Sequence, residues 1–181
     1  MIDEIMEYNR KFVENKGYEP YLTSKYPDKK LAILTCMDTR LLELLPAALG
    51  IKNGDAKIIK NAGGVIVHPY GSVVRSLLVG ILELGVEEVM VIGHTDCGVQ
   101  GMDGNEMLEK LVERGIDQQH IDIVRHSGID LERWLGGFES VEISVHETVC
   151  RLKEHPLMPK NVRISGFIMD SATGELTRVE E

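Results

Sequence analysis

The stretch "LAILTCMDTRL", Leu31 to Leu41, decides the fold. Its first five residues, Leu31 to Thr35, form a continuous run of strand length, the pattern of a strand covered on both faces. A cysteine, an aspartate and an arginine then follow at every second position: Cys36, Asp38 and Arg40. Each is costly to bury alone, so the pattern calls for a partner or a ligand. In an extended segment these positions share one side, so all three are expected to face one crevice.

Outward from this run the chain alternates between helical and strand patterns. Upstream, Ile2, Ile5, Met6, Asn9, Phe12 and Val13 recur at helical spacing and predict an amphipathic helix that stops near Gly17. Tyr18 to Lys30 holds Pro20 and Pro27 and reads as an irregular connection. Downstream, a short helix is expected over 41–49, with Pro46 near a start or a kink and Gly50 past its end. "AKIIK" (56–60) is a second strand, and "NAGG" (61–64) a loop whose glycines permit close backbone approach. Val73 to Leu82 carry a strong helical pattern closed by Gly85, and "EVMVI" (88–92) is a third strand. Residues 99–138 read as mostly helical, broken at Gly115, Gly128 and Gly136-Gly137, with Asp117 and Asp130 as N-caps. Val141, Val145, Val149 and Leu152 mark another helix that stops before Pro156. "VRISGFIM" (162–169) is a fourth strand, and "SATG" turns the chain into "ELTRV", a short antiparallel edge strand.

Strands alternating with helices predict an α/β fold: a three-layer αβα arrangement with a mainly parallel sheet of four strands plus an antiparallel C-terminal edge strand. At 181 residues the chain suits a single domain over 1–181. The net charge of −9, with no block of five or more Lys or Arg, argues against a nucleic-acid or anionic-membrane partner. The acidic start "MIDEIMEYNRKF" is unlike a signal peptide. The longest apolar region is interrupted by Arg75, Glu83, Glu87 and Glu88, so no membrane span is expected. Three cysteines suggest no disulfide framework, and a cytoplasmic location is the expectation.

Ligands gather outside the carboxyl ends of such strands, at a switch point in strand order. "CMDTR" follows the first strand, and a second motif, "GHTDCG" (Gly93 to Gly98), follows the third. If these strands are neighbours, both motifs face one crevice. Cys36, His94 and Cys97 are then two thiols and an imidazole, the set that zinc prefers. Three protein ligands leave one tetrahedral position free, as in catalytic rather than structural zinc sites. Arg40 can hold Asp38 ionised in a bidentate pair, and Asp38 can then align a zinc-bound hydroxide for attack. Asp38 can also serve as a fourth ligand and close the site, and the residues do not choose between these states.

The two motifs resemble those of the β-class carbonic anhydrases, in their compact microbial branch. "KNAGG" (Lys60 to Gly64), "GSVVRSLLVGILELG" (71–85) and "VRISGFIMDSATGELTRV" (162–179) are similar to the family's pattern too, so the resemblance spans about Leu31 to Val179. It implies a zinc enzyme that interconverts carbon dioxide and bicarbonate, working as a homodimer or an assembly of dimers. Cys36, His94 and Cys97 match the metal ligands, and Asp38 with Arg40 the catalytic dyad. The resemblance also implies that residues 1–30 form an N-terminal helical arm that packs on a partner subunit. Lys60 stands where many members carry Arg.

Other residues carry further readings. Val65, Ile66 and Val67 are candidates for an apolar pocket wall. His68 is either an ordinary loop histidine or part of the crevice, and Asp96 either an outer-shell partner or a loop-shaping residue. Cys150 reads as packing or surface, and His120, His126, His146 and His155 as surface residues. Two alternatives keep the metal: a hydrolase of a related heterocumulene such as carbon disulfide or carbonyl sulfide, and a zinc-binding protein without turnover.

Overall fold

The computed structural model describes residues 1–179. Its sheet has five strands: β1 (Leu31–Cys36), β2 (Ala56–Asn61), β3 (Glu88–His94), β4 (Arg163–Met169) and β5 (Leu176–Arg178). Their order is β2-β1-β3-β4-β5, with the first four parallel and β5 antiparallel to β4. The predicted α/β architecture is therefore the observed one. The chain leaves β1 toward β2 on one side and returns to β3 on the other, so the switch point lies between β1 and β3.

The helices are α1 (Ile2–Glu14), α2 (Leu41–Ala48), α3 (Ser72–Leu84), α4 (Gly104–Glu113), α5 (Gln118–His126), α6 (Leu131–Leu135) and α7 (Val141–Glu154). Alternation along the strands sends Ala32, Leu34, Val89, Val91 and Ile164 to one face, where Val74 and Leu77 of α3 and Val145, Val149 and Leu152 of α7 cover them. Ile33, Ile92 and Met169 join Leu41 and Leu45 of α2 in the cluster that also contains Cys36 and Cys97. Leu108, Ile121 and Leu131 make a small separate core for α4, α5 and α6. Asp117 and Asp130 cap α5 and α6 as expected, accepting from the amides of Gln119 and Arg133. None of the α1 side chains is buried. Among the described residues no helix is long and apolar enough to cross a membrane.

Two differences from the sequence reading bear on the site. Strands β1, β2 and β3 run one or two residues further than their apolar runs, because the ladder continues through Cys36–Asn61 and His94–Met169. After Cys36 the chain is not extended through Arg40, as the every-second-residue argument assumed. Leu41 N–H donates to the Asp38 carbonyl at 3.2 Å, and Arg40 is already in a helical conformation (φ −63°, ψ −29°) at the start of α2. The turn itself brings Asp38 and Arg40 together.

Candidate metal centre

Cys36 ends β1 and His94 ends β3, so the parallel pairing of these strands places both at the switch point. Cys97 lies three residues on, in a tight turn whose Asp96 takes a left-handed backbone conformation (φ +54°). Loop 61–64 closes the other side. Gly64, at φ +67°, lies against the β1 backbone, where a Cβ would fall 2.9 Å from the Thr35 carbonyl carbon and 3.0 Å from the Cys36 nitrogen. Only glycine fits there.

The side chains of Cys36, His94 and Cys97 are all buried, and one ligand atom from each lies within 4.8 Å of the others. The two sulfurs are 3.9 Å apart. Zinc–sulfur bonds of about 2.3 Å in a tetrahedron set two sulfurs about 3.8 Å apart. His94 Nδ1 is 2.8 Å from the Thr95 carbonyl, which can only accept, so Nδ1 carries the proton and Nε2 the lone pair. That Nε2 is buried with no hydrogen-bond partner, the one such side-chain atom among the described residues. A buried acceptor without a partner is costly, and a cation at the centre of this triangle supplies one. Burial pushes the Cys97 thiol up, the amides of Val99 and Gln100 pull it down, and the neighbouring Cys36 raises it further. These two sulfurs and one imidazole nitrogen fit a tetrahedral divalent metal with one position left over.

Asp38 and Arg40 stand beside that position. Arg40 Nε–H donates to Asp38 Oδ1 at 3.0 Å, Nη2–H to Oδ2 at 2.8 Å, and the Arg40 backbone N–H to Oδ1 at 2.9 Å. These bonds, the side-chain ones foremost, hold the Asp38 carboxyl well below the usual carboxylate range. Asp38 in turn pushes the Arg40 guanidinium further up, with Asp96 adding to it. Asp38 Oδ2 lies 3.9 Å from His94 Nε2, next to the ligand triangle. Arg40 also reaches the other motif, donating from Nη1 to Asp96 Oδ2 at 2.8 Å and from Nη2 to the Asp96 carbonyl at 2.7 Å. Asp96 shapes the turn through its left-handed backbone, and its polar contacts are with Arg40 rather than with Cys36, His94 or Cys97. Lys60, on β2 opposite Thr35, feels Cys36 and Asp38, which counter the downward push of burial on its ammonium.

The structure brings the five principal residues together and rearranges some secondary ones. Ile66 packs into the core under α3 and α7, while Val67 is exposed. Val99 and Phe138 pack against the cluster holding both cysteines, and neither was singled out from sequence. Val99 had a signal, two residues past Cys97; Phe138 arrives through a long helical excursion that gives none. His68 is exposed, its Nδ1 accepting the Tyr70 N–H, and it is not among the grouped ligands. Cys150 is half-buried, and all three cysteines are free. His155 corrects its surface reading: it is buried, Nδ1 accepts the Leu157 N–H at 3.2 Å, and Nε2–H donates to the Pro69 carbonyl at 2.9 Å.

The family model for carbonic anhydrase matches residues 31–176. The chain belongs to the β-carbonic anhydrase family. Its relatives include the Bacillus subtilis (strain 168) protein named "Putative carbonic anhydrase YvdA", 52% identical over 175 residues, which cover 97% of this chain and 89% of that one. Carbon disulfide hydrolase of Saccharolobus solfataricus is 32% identical over 163 residues, covering 83% of this chain and 78% of that enzyme. Among solved structures, β-carbonic anhydrase isoform I of Trichomonas vaginalis superposes with a TM-score of 0.88 at 34% identity, covering 99% of this chain and 97% of its own. Against this β-carbonic anhydrase background, the ligand triangle lies within the matched span, and α1 lies outside it.

Proposed function

We propose that the protein catalyses the reversible hydration of carbon dioxide to bicarbonate at a zinc ion held by Cys36, His94 and Cys97. The observation that carries this reading is the juxtaposition of an unpartnered, buried His94 Nε2 and two close sulfurs with a carboxylate fixed by arginine. Zinc, when bound, supplies a Lewis acid that lowers the pKa of water at its open position from about 15.7 toward ~7. Arg40 occupies Asp38 Oδ1 twice and Oδ2 once, which keeps the carboxylate ionised and leaves acceptor capacity on Oδ2, the oxygen nearer His94. At Oδ2 the ionised Asp38 accepts a hydrogen bond and donates none, and so orients the attacking oxygen toward the carbon of carbon dioxide. Val99 and Phe138 give the small apolar substrate an apolar neighbourhood. A carbon–oxygen bond forms, one proton leaves to solvent, and bicarbonate departs.

A homodimer or an assembly of dimers in the cytoplasm is part of this proposal. The amphipathic α1 supports it, since Ile2, Ile5, Met6 and Val13 are exposed on a helix with no buried side chain. A carbon disulfide hydrolase reading shares the same attack, and the 32% identity with such an enzyme favours keeping it as the second reading. Stopped-flow assays with zinc-loaded protein test both. Carbon dioxide hydration that rises as pH moves above neutral and vanishes on metal removal is expected. Zinc-loaded protein inert toward carbon dioxide but active on carbon disulfide would reverse the order of the readings, and inertness toward both would remove them.

A further inference from the structure

Asp96 adopts its left-handed conformation midway between two of the ligands, His94 and Cys97. Among the described residues only Lys16 and Lys30 share a positive φ without being glycine, and both lie in connections upstream of β1. Side chains with a Cβ rarely adopt this conformation, and Asp and Asn tolerate it best. Here it turns the Asp96 carboxylate and carbonyl to the same side, where Arg40 binds both. The Nε–H and an N–H on Nη2 of Arg40 hold Asp38. The guanidinium is therefore gripped from two sides, by one aspartate from each motif. Asp38 in turn has two seats within reach, the Arg40 fork and the metal position beside His94 Nε2.

We propose that Asp96 is a positioning residue that pins the Arg40 guanidinium to the ligand-bearing turn, and so keeps Asp38 seated on Arg40 with the fourth metal position open. The inference rests on the functional reading above and deepens it. An unpinned arginine must lose side-chain freedom each time it takes up Asp38; a pinned one is already in place. The Asp96 side chain is 85% exposed, so solvent screens its ion pair, and the effect on the balance between the two seats is modest, about two- to fivefold.

The experiment reads Arg40 directly, by NMR of its guanidinium protons in metal-free protein, where neither zinc nor turnover enters. In wild type the Nη protons are expected to be resolved and slow to exchange about the Cζ–N bonds. Asp96→Asn keeps an acceptor oxygen and a tolerant backbone, and retains this behaviour. Asp96→Ala loses it. If Asp96→Ala does not fold, Asp96→Gly, which accepts φ +54° without strain, removes the carboxylate alone and gives the same comparison with a smaller change. In zinc-loaded crystals Asp96→Ala is expected to show Asp38 on the metal in a larger share of molecules, with the hydration kcat about two- to fivefold lower at unchanged KM. Equal Arg40 exchange in wild type and Asp96→Ala, or Asp38 equally seated on Arg40 in both crystals, would overturn the inference. A wild-type protein that hydrates no carbon dioxide would instead remove the functional reading and leave the measured clamp standing.

Discussion

The consequential side chains at the residue scale each face a choice of partner. Cys36, His94 and Cys97 form one group that can hold an ion; in the proposed enzyme they share a zinc, so replacing any one by alanine is expected to lower bound zinc per chain to a small fraction of wild type, measured by elemental analysis after dialysis. Thr95 acts one step out. Its carbonyl fixes the His94 tautomer, and its Oγ1 accepts the Ser171 N–H at 3.0 Å and lies 3.2 Å from Ser171 Oγ. Thr95→Val removes that latch while leaving every ligand in place. Zinc affinity by chelator competition is expected to fall about tenfold, as for other partners that orient metal ligands, and Thr95→Ser is expected to restore it. Unchanged affinity would show that the turn holds His94 without the latch. The grouping of Cys36, His94 and Cys97 was legible in the sequence because two motifs with thiols and an imidazole each follow an apolar strand run. The Thr95–Ser171 contact was not, since two hydroxyls 76 residues apart announce nothing until β3 and β4 pair.

At the scale of elements, β1 and the loop after β2 meet through Gly64. Gly64→Ala places a Cβ against the β1 backbone at a positive φ, and is expected to cost about 1–3 kcal/mol, read from the urea midpoint. A Gly64→Ala protein as stable as wild type would mean that the loop can lift away from Cys36. The turn between β4 and β5 carries a pH signature. The amides of Thr173 and then Ala172, with the Thr173 hydroxyl, hold Asp170 below its ordinary value. A carboxylate depressed in the folded state contributes stability above its unfolded pKa of about 3.9, and loses it as pH falls through the folded value. The urea midpoint is therefore expected to be level from pH 5 to 8 as far as Asp170 is concerned and to drop below about pH 4. Asp170→Asn is expected to lower the plateau and shrink that drop; an identical acid limb in the variant would contradict it. Element types were readable from periodicity and caps, as Asp117 and Asp130 illustrate. Strand ends were not, because pairing carries β1 and β3 beyond their apolar runs, and the course after Cys36 depended on a turn that alternation cannot see.

For the whole molecule, the order β2-β1-β3 turns two separate motifs into one centre. His155 shows the reverse limit of sequence reading: a histidine without metal spacing reads as a surface residue, yet it is buried, with Nε2–H donating to the Pro69 carbonyl where α7 ends. In the proposed assembly the exposed apolar side of helix α1 is the contact with a partner subunit. Ile5→Asp with Met6→Asp is expected to convert an assembled protein to monomers, seen by light scattering on a sizing column, with the described chain's own fold intact because no α1 side chain is buried. Unaltered mass would place the partner contact elsewhere. In the proposed enzyme, β1 and β3 bring two sulfurs and one imidazole nitrogen to a single ion. X-ray absorption at the zinc edge of the loaded protein measures it most directly. The expected result is two sulfurs at about 2.3 Å and one nitrogen at about 2.0 Å in a four-coordinate shell. A shell of oxygen and nitrogen alone would contradict it.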